Sequence, residues 1–150
     1  MADVAGTTTT NKPATGITDL QTLLAQMRPS LASEEGEVVF VTSQDLSMKE
    51  AAELEPLMLF REDEGLTLIL PRAAAEARGL AYEGLFRRIT LKVHSSLEAV
   101  GLTAAVATAL KDAGICANVV AAYYHDHVYV PASEAGRAVA ALEALAGPAA

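Results

Sequence analysis

The side chains of this chain best suited to hold a proton or a metal are its three histidines, His94, His125 and His127. Two of them stand two residues apart in the run HDHVYV, where Val128 and Val130 alternate with His125, His127 and Tyr129. The third closes the run RITLKVH, where Ile89, Leu91 and Val93 alternate with Arg88, Thr90, Lys92 and His94. A period of two marks a strand with one buried and one open face. The histidines fall on the face away from the apolar residues, and Asp126 falls on the other. After His94 come Ser95, Ser96 and, further on, Gly101. A glycine beside a helix start lets backbone N–H groups approach an anion, and the helix dipole favours the negative group. Catalytic readings find less support. Cys116 begins an apolar run and reads as a small core residue. Gly65, Gly79, Gly84 and Gly101 form no phosphate-binding loop. Glu62-Asp63-Glu64 reads as a solvated hairpin tip, and Tyr123 and Tyr124 as packing or rim residues.

The elements around these residues read as strand, loop, helix, strand, turn, strand. Leu102, Val106, Ala109, Leu110 and Ala113 form an apolar helical stripe in an alanine-rich stretch, and Gly114 can stop it. The helix has two candidate starts. Ser95 and Glu98 have capping-box spacing, which places Gly101 inside the helix at a cost of about 1 kcal/mol. A start at Gly101 leaves 95–100 as a loop. Ile115–Tyr123 reads as the next strand. Upstream, Thr18 can cap a helix carrying Leu20, Leu23, Leu24 and Met27 on one face, and Pro29 ends it. EVVFVT (37–42) is a short strand, and Ser47 with Glu50 suggests a turn of helix. Strands over 55–61 and 66–70 flank the EDEG turn, then Pro71 opens a short helix that Gly79 closes. LTLILPRAAAEARGL and HVYVPASEAGRAVAAL both read strand, proline, alanine-rich helix: a weak internal repeat.

Composition narrows the partners. A net charge of −8 argues against nucleic acid, which needs a basic patch. No apolar run approaches the ~20 residues of a membrane span, and the N-terminus lacks the regions of a signal peptide. One cysteine excludes an internal disulfide framework and suits the reducing cytosol, so a cytoplasmic location is expected. Residues 1–15 read as a flexible tail, and 147–150 as a second short one.

The run GLTAAVATALKDAGICANVV resembles the first helix and second strand of an ACT domain, the small regulatory fold of amino-acid metabolism. The matching positions are Gly101, Leu102, Ala113, Gly114, Ile115 and Asn118. HSSLEAVGLTAAV followed by NVVAAYYHDHVYVP is similar to a narrower group: small bacterial ACT-domain proteins of unassigned function, related to the ACT repeats of the cytosolic arginine sensor of animals. The resemblance covers about Gly16 to Leu145 and selects the start at Gly101. It implies an α+β, ferredoxin-like (βαββαβ) fold with antiparallel sheets. On this reading 16–82 is a degenerate N-terminal half and 83–146 a C-terminal ACT domain short of its last strand. The missing edge is to be supplied by the first half or by a partner chain, and a homodimer is expected.

In the ACT strand order the first and third strands are neighbours, which brings His94 near His125. Three readings of the histidine face then stay open: a solvated or interdomain face, a ligand pocket, and a zinc site to which no cysteine contributes. The resemblance favours the pocket, with an amino acid as ligand and neither metal nor cofactor. It implies that the loop, with His94, Ser95, Ser96, Leu97, Val100, Gly101 and Leu102, holds the ligand's α-carboxylate. Asn118 and Val119 then present groups to the α-amino end, with His125 and His127 lining the site. A structural module that dimerises through its sheet edge is the rival reading.

Overall fold

The period-two stretches form strands and the alanine-rich stretches form helices, in two successive halves. The computed structural model describes residues 15–147; the two tails read from the sequence lie almost wholly outside them. Helix α1 (Leu20–Gln26) and the short β1 (Ser30–Leu31) come first. The first half continues with β2 (Val38–Ser43), α2 (Met48–Glu53), β3 (Met58–Glu62), β4 (Gly65–Pro71) and α3 (Arg72–Arg78). The second contains β5 (Phe86–Thr90), α4 (Leu102–Asp112), β6 (Asn118–Ala121), β7 (Asp126–Pro131), a 3-10 turn at Ala132–Glu134 and α5 (Ala135–Ala146). All strands pair antiparallel in one seven-stranded sheet of order β3-β4-β2-β5-β7-β6, with β1 also on β5. This is the expected α+β, ferredoxin-like arrangement in two ACT-like halves.

The internal repeat is structural. Pro71 pairs with Val38 and Pro131 with Phe86, each the first residue of its half's leading strand. Their backbones match closely, at φ −53°, ψ 136° and φ −50°, ψ 135°, and each leads into a helix or turn. Val38 and Phe86 also pair with each other, so the halves join at equivalent positions. Helices cover one sheet face over two cores. Val39, Val41, Leu66, Leu68 and Leu70 pack with Ala51 and Ala75 in the first half. Ile89, Leu91, Val128 and Val130 pack with Val106, Leu110 and Leu142 in the second. Each fully buried Leu, Ile or Val contributes roughly 1.5–3 kcal/mol. On the face that carries no helix Val38, Ile69 and Tyr129 are nonetheless buried, and Phe40 packs edge-to-face with Phe86 and Tyr129, with centroids 5.1 and 5.7 Å apart.

Several expectations need correction. The second half has no last strand of its own, and of the two expected suppliers it is the N-terminal half that provides one: Ser30 pairs with Thr90 and Leu31 with Ile89. Arg28 N–H donates to Leu91 O and Ala32 N–H to Arg88 O, both at 2.9 Å. The chain's own N-terminal segment covers that edge, so the edge gives no reason for a dimer. Leu23 and Met27 of α1 are buried among Leu102, Val106, Leu110 and Leu142, so α1 and β1 pack with the second half in space. The strand expected over 88–94 ends at Thr90, and Lys92 turns at φ +49°. Asp19, not Thr18, caps α1, accepting from Thr22 N–H at 2.8 Å. Its carboxyl is held below the ordinary range by the hydrogen bonds from Thr22. Ser47 and Glu50 form the expected capping box on α2.

Candidate functional site

Gly101 decides how the loop before α4 is built. Its φ of +105° suits glycine and makes it the N-cap, so 95–100 lies outside the helix. The rival capping box is not formed; Ser96 Oγ instead accepts from Glu98 N–H at 3.2 Å. Among the described residues, the backbone N–H groups of Leu97, Val100 and Gly101 have no backbone partner. The first N–H groups of a helix have no intrahelical acceptor, so α4 presents further donors beside them.

Two clefts share Ser95, Ser96 and Leu97 as lining. The larger, about 360 Å³, is lined by Thr15, Gly16, His94, Ser95, Ser96, Leu97, Glu98 and Tyr123. The smaller, about 70 Å³, adds Ala99, Leu102, Thr103, Ala121 and Asp126 to the shared serines and Leu97. Neither is lined by Arg or Lys. Asp126 is 7% exposed and accepts from Ser95 Oγ at 3.3 Å. Burial pushes its carboxyl above the ordinary value, against the hydrogen bond from Ser95 and the charge of His125. The site therefore sets a buried acid beside free N–H donors at a helix start. His94 stands against Tyr124 and Tyr123, with centroids 4.9 and 6.5 Å apart. Leu97 and Val100 project into solvent nearby.

The structure brings together His94, Ser95, Ser96, Leu97 and Leu102 of the residues picked from sequence. Gly101 shapes the loop without lining a cleft, and Val100 is 83% exposed. Asn118 and Val119 lie elsewhere. β6 runs antiparallel to β7, so Ala121 meets Asp126 while Asn118 meets Tyr129 at the far end. Three residue steps of strand separate them, roughly 10 Å. Asn118 donates to Tyr129 O at 3.5 Å, and Val119 packs on the helix-side core. The histidines do not converge on one point. His125 Nδ1 lies 3.1 Å from Val93 O, while His127 Nδ1 lies 3.0 Å from Thr90 Oγ1 on the face that carries no helix. Burial, then Arg88 and His125, lowers the His127 ring below its usual range. Among the described residues no three His, Cys, Asp or Glu side chains gather as a metal requires. Cys116 is exposed rather than in the core, because β6 begins only at Asn118.

Sequence reading missed Asp126, although its signal was present: alternation placed it on the helix side, where the loop lies. It also missed Thr15 and Gly16, for which no local pattern exists.

A two-half antiparallel sheet, helices on one face and a glycine-capped loop after the leading strand define an ACT-type architecture. Two ACT-domain family models match, over residues 15–87 and 87–144. The chain belongs to the ACT-domain family. It is 48% identical to a Vibrio cholerae protein of unknown function, a possible transport protein, at a TM-score of 0.76 over 85% of this chain and 95% of that one. An Agrobacterium tumefaciens protein matches at 16% identity and TM-score 0.65, over 81% and 89% of the two chains. The regulatory subunit of aspartate kinase from Thermus thermophilus, ligand-free, matches at 12% identity and TM-score 0.54, over 79% and 95%. The last two are likenesses of fold. No curated protein matches. Among the described residues no helix is long and apolar enough to cross a membrane.

Proposed function

We propose that this chain is a regulatory binding module whose ligand is an α-amino acid, held where β5 gives way to α4. One observation carries the reading: Asp126, a buried carboxyl, lines the same cleft as Leu97 and as Leu102 and Thr103 of the first turn of α4. An amino acid is a zwitterion and needs opposite partners a few ångströms apart. The free N–H groups of the loop and of α4 take its carboxylate, with help from the helix dipole. Asp126 and Ser95 take its ammonium group. The side chain extends into the larger cleft, between His94, Tyr123 and Leu97. At about 360 Å³ that cleft has the size of a small-molecule site. Glu98 lines it and no cation does, which disfavours aspartate and glutamate.

The reading is one of binding rather than catalysis, and it rests on the ACT-domain models that match residues 15–87 and 87–144. Regulation follows if the ligand favours one arrangement of the loop over another, a population shift that an output partner reads. Support comes from the family and from the geometry of the cleft. A thermal unfolding screen of the twenty amino acids tests it. A neutral or cationic amino acid is expected to raise the melting temperature, and aspartate and glutamate to leave it alone. A ligand at a hundredfold excess over its dissociation constant adds about 2.7 kcal/mol. If none of the twenty moves the transition, the reading fails.

A second reading has its own observation. The two outer strands of the sheet are β3 and β6. β3 carries Arg61 and Glu62 and runs into Asp63 and Glu64, whereas β6, NVVA, carries no charge. An uncharged outer strand is a template for pairing with another chain. Homodimerisation through β6 fits this edge, with or without a ligand, and replaces the dimer contact first sought after α5.

A further inference from the structure

The N-terminal segment crosses the loop before α4, far away in sequence. Ile17 N–H donates to His94 O and Ser96 N–H donates to Ile17 O, both at 2.8 Å, in a single parallel bridge between Ile17 and Ser95. Gly16 lies directly on the loop. A Cβ there would stand 2.4 Å from Ser96 N, 2.5 Å from Ser95 C and 2.6 Å from Ser95 O, all backbone atoms. Glycine is required by contact at this position, since no left-handed φ is involved. At the loop's other end, Leu20 of α1 leaves only 3.0 Å to a Cβ on Gly101. The loop is therefore pinned at both ends by one short segment. That segment also walls the larger cleft, through Thr15 and Gly16.

We infer that the strap of residues 15–17 and the loop of residues 95–101 open and close as one unit, with Gly16 as the positioning residue. The bridge hydrogen bonds are shared: Ile17 N–H and Ser96 N–H lose their acceptors in the same event. Ser96 N–H is thereby committed to the strap, which leaves the ligand's carboxylate to Leu97 and the first turn of α4. A molecule in the cleft and a pull on the N-terminal segment act on one equilibrium, and each alters the other's free energy by the same amount. Closure over an amino acid rests on the proposed function; the coupling of strap to loop does not.

Amide hydrogen exchange on the full chain tests this without any ligand. In the wild type, Ile17 and Ser96 are expected to share one opening free energy, lower than that of Val128 in β7. Gly16→Ala is expected to speed exchange at both amides by about tenfold or more, equivalent to about 1.4 kcal/mol. Val128 stays unchanged. Gly136→Ala, where a Cβ meets nothing within 4 Å, serves as the silent control. Unequal opening of Ile17 and Ser96 in the wild type overturns the inference, whether or not Gly16→Ala folds. So does acceleration at Ile17 alone. Adding a mixture of the twenty amino acids separates the two ideas. Protection of residues 97–101 without Ile17 sinks the strap, and protection of neither sinks the amino-acid reading while the ligand-free comparison still stands.

Discussion

Asp126 shows how a single residue can be costly to the fold and useful to the site. Burial raises its carboxyl above the ordinary value of 3.8, and Ser95 and His125 offset that only in part. The folded state then holds the proton more tightly than the unfolded one. The stabilisation from protonation is complete below 3.8 and is lost as pH rises through the folded value. Above the folded value the ionised group weakens the fold. Asp126→Asn keeps an acceptor for Ser95 Oγ and removes the charge. It is expected to raise the melting temperature at pH 7 by about 2–4 °C for each kcal/mol relieved. The gain is expected to shrink as pH falls through the folded value, which lies above 3.8, because the wild-type carboxyl then takes up its proton. The same variant is expected to lose its response to amino acids. Equal melting temperatures at pH 7 would mean that water or an unrecognised donor already satisfies the carboxylate.

At the scale of elements, β1 decides more than its two residues suggest. It takes the place beside β5 that the ferredoxin-like order reserves for a last strand, and it ties α1 to the second half. Ala32 N–H donates to Arg88 O at 2.9 Å just beyond it, and Arg87 reaches Ala32 O at 3.0 Å. Proline at 32 has no N–H to give and leaves the Arg88 carbonyl without this partner. Ala32→Pro is expected to lower the unfolding free energy by about 1–3 kcal/mol, read from the midpoint of a urea transition. An unchanged midpoint would show that β1 contributes nothing to stability. The Glu35–Arg88 ion pair, part-buried beside it, does not compensate for lost pairing, because ion pairs of partial exposure contribute little.

The whole molecule presents two unlike edges, and the proposed dimer rests on the difference. Charge protects β3, and the acidic tip Glu62-Asp63-Glu64 adds repulsion in a chain of net charge −8. β6 has no such protection, and Tyr123 and Tyr124 stand half-exposed at its exit. Sedimentation velocity at micromolar concentration is expected to find a dimer for the wild type and for Phe60→Lys on the outer β3. Val120→Lys is expected to give a monomer, because lysine on an edge strand discourages pairing. A monomeric wild type would reject the β6 contact.

Much of this architecture could be read from the chain. Period-two runs located β5 and β7, because a half-buried strand forces alternation, and short apolar runs located β2 and β4. Gly79, Gly101 and Gly114 marked helix ends, where left-handed or otherwise strained backbone favours glycine. The two proline junctions disclosed the repeat, since a strand that must turn into a helix favours the same chemistry twice. The loop of the candidate site was not settled locally, because Ser95 and Glu98 offered a rival helix start; the family resemblance selected Gly101. Other features were decided by contacts between residues distant in sequence, which leave no period. The strand β1 is two residues long and has no pattern of its own; only the open edge of β5 makes it a strand. Gly16 is glycine because Ser95 and Ser96 lie against it, nearly eighty residues later. The direction of β6 moved Asn118 away from the cleft and brought Ala121 to it. Of the histidines only His127 lies in a strand; His94 and His125 lie beyond the strand ends, and each ring found a separate partner. Alternation fixes which side of a sheet a residue occupies; tertiary packing decides what it meets there.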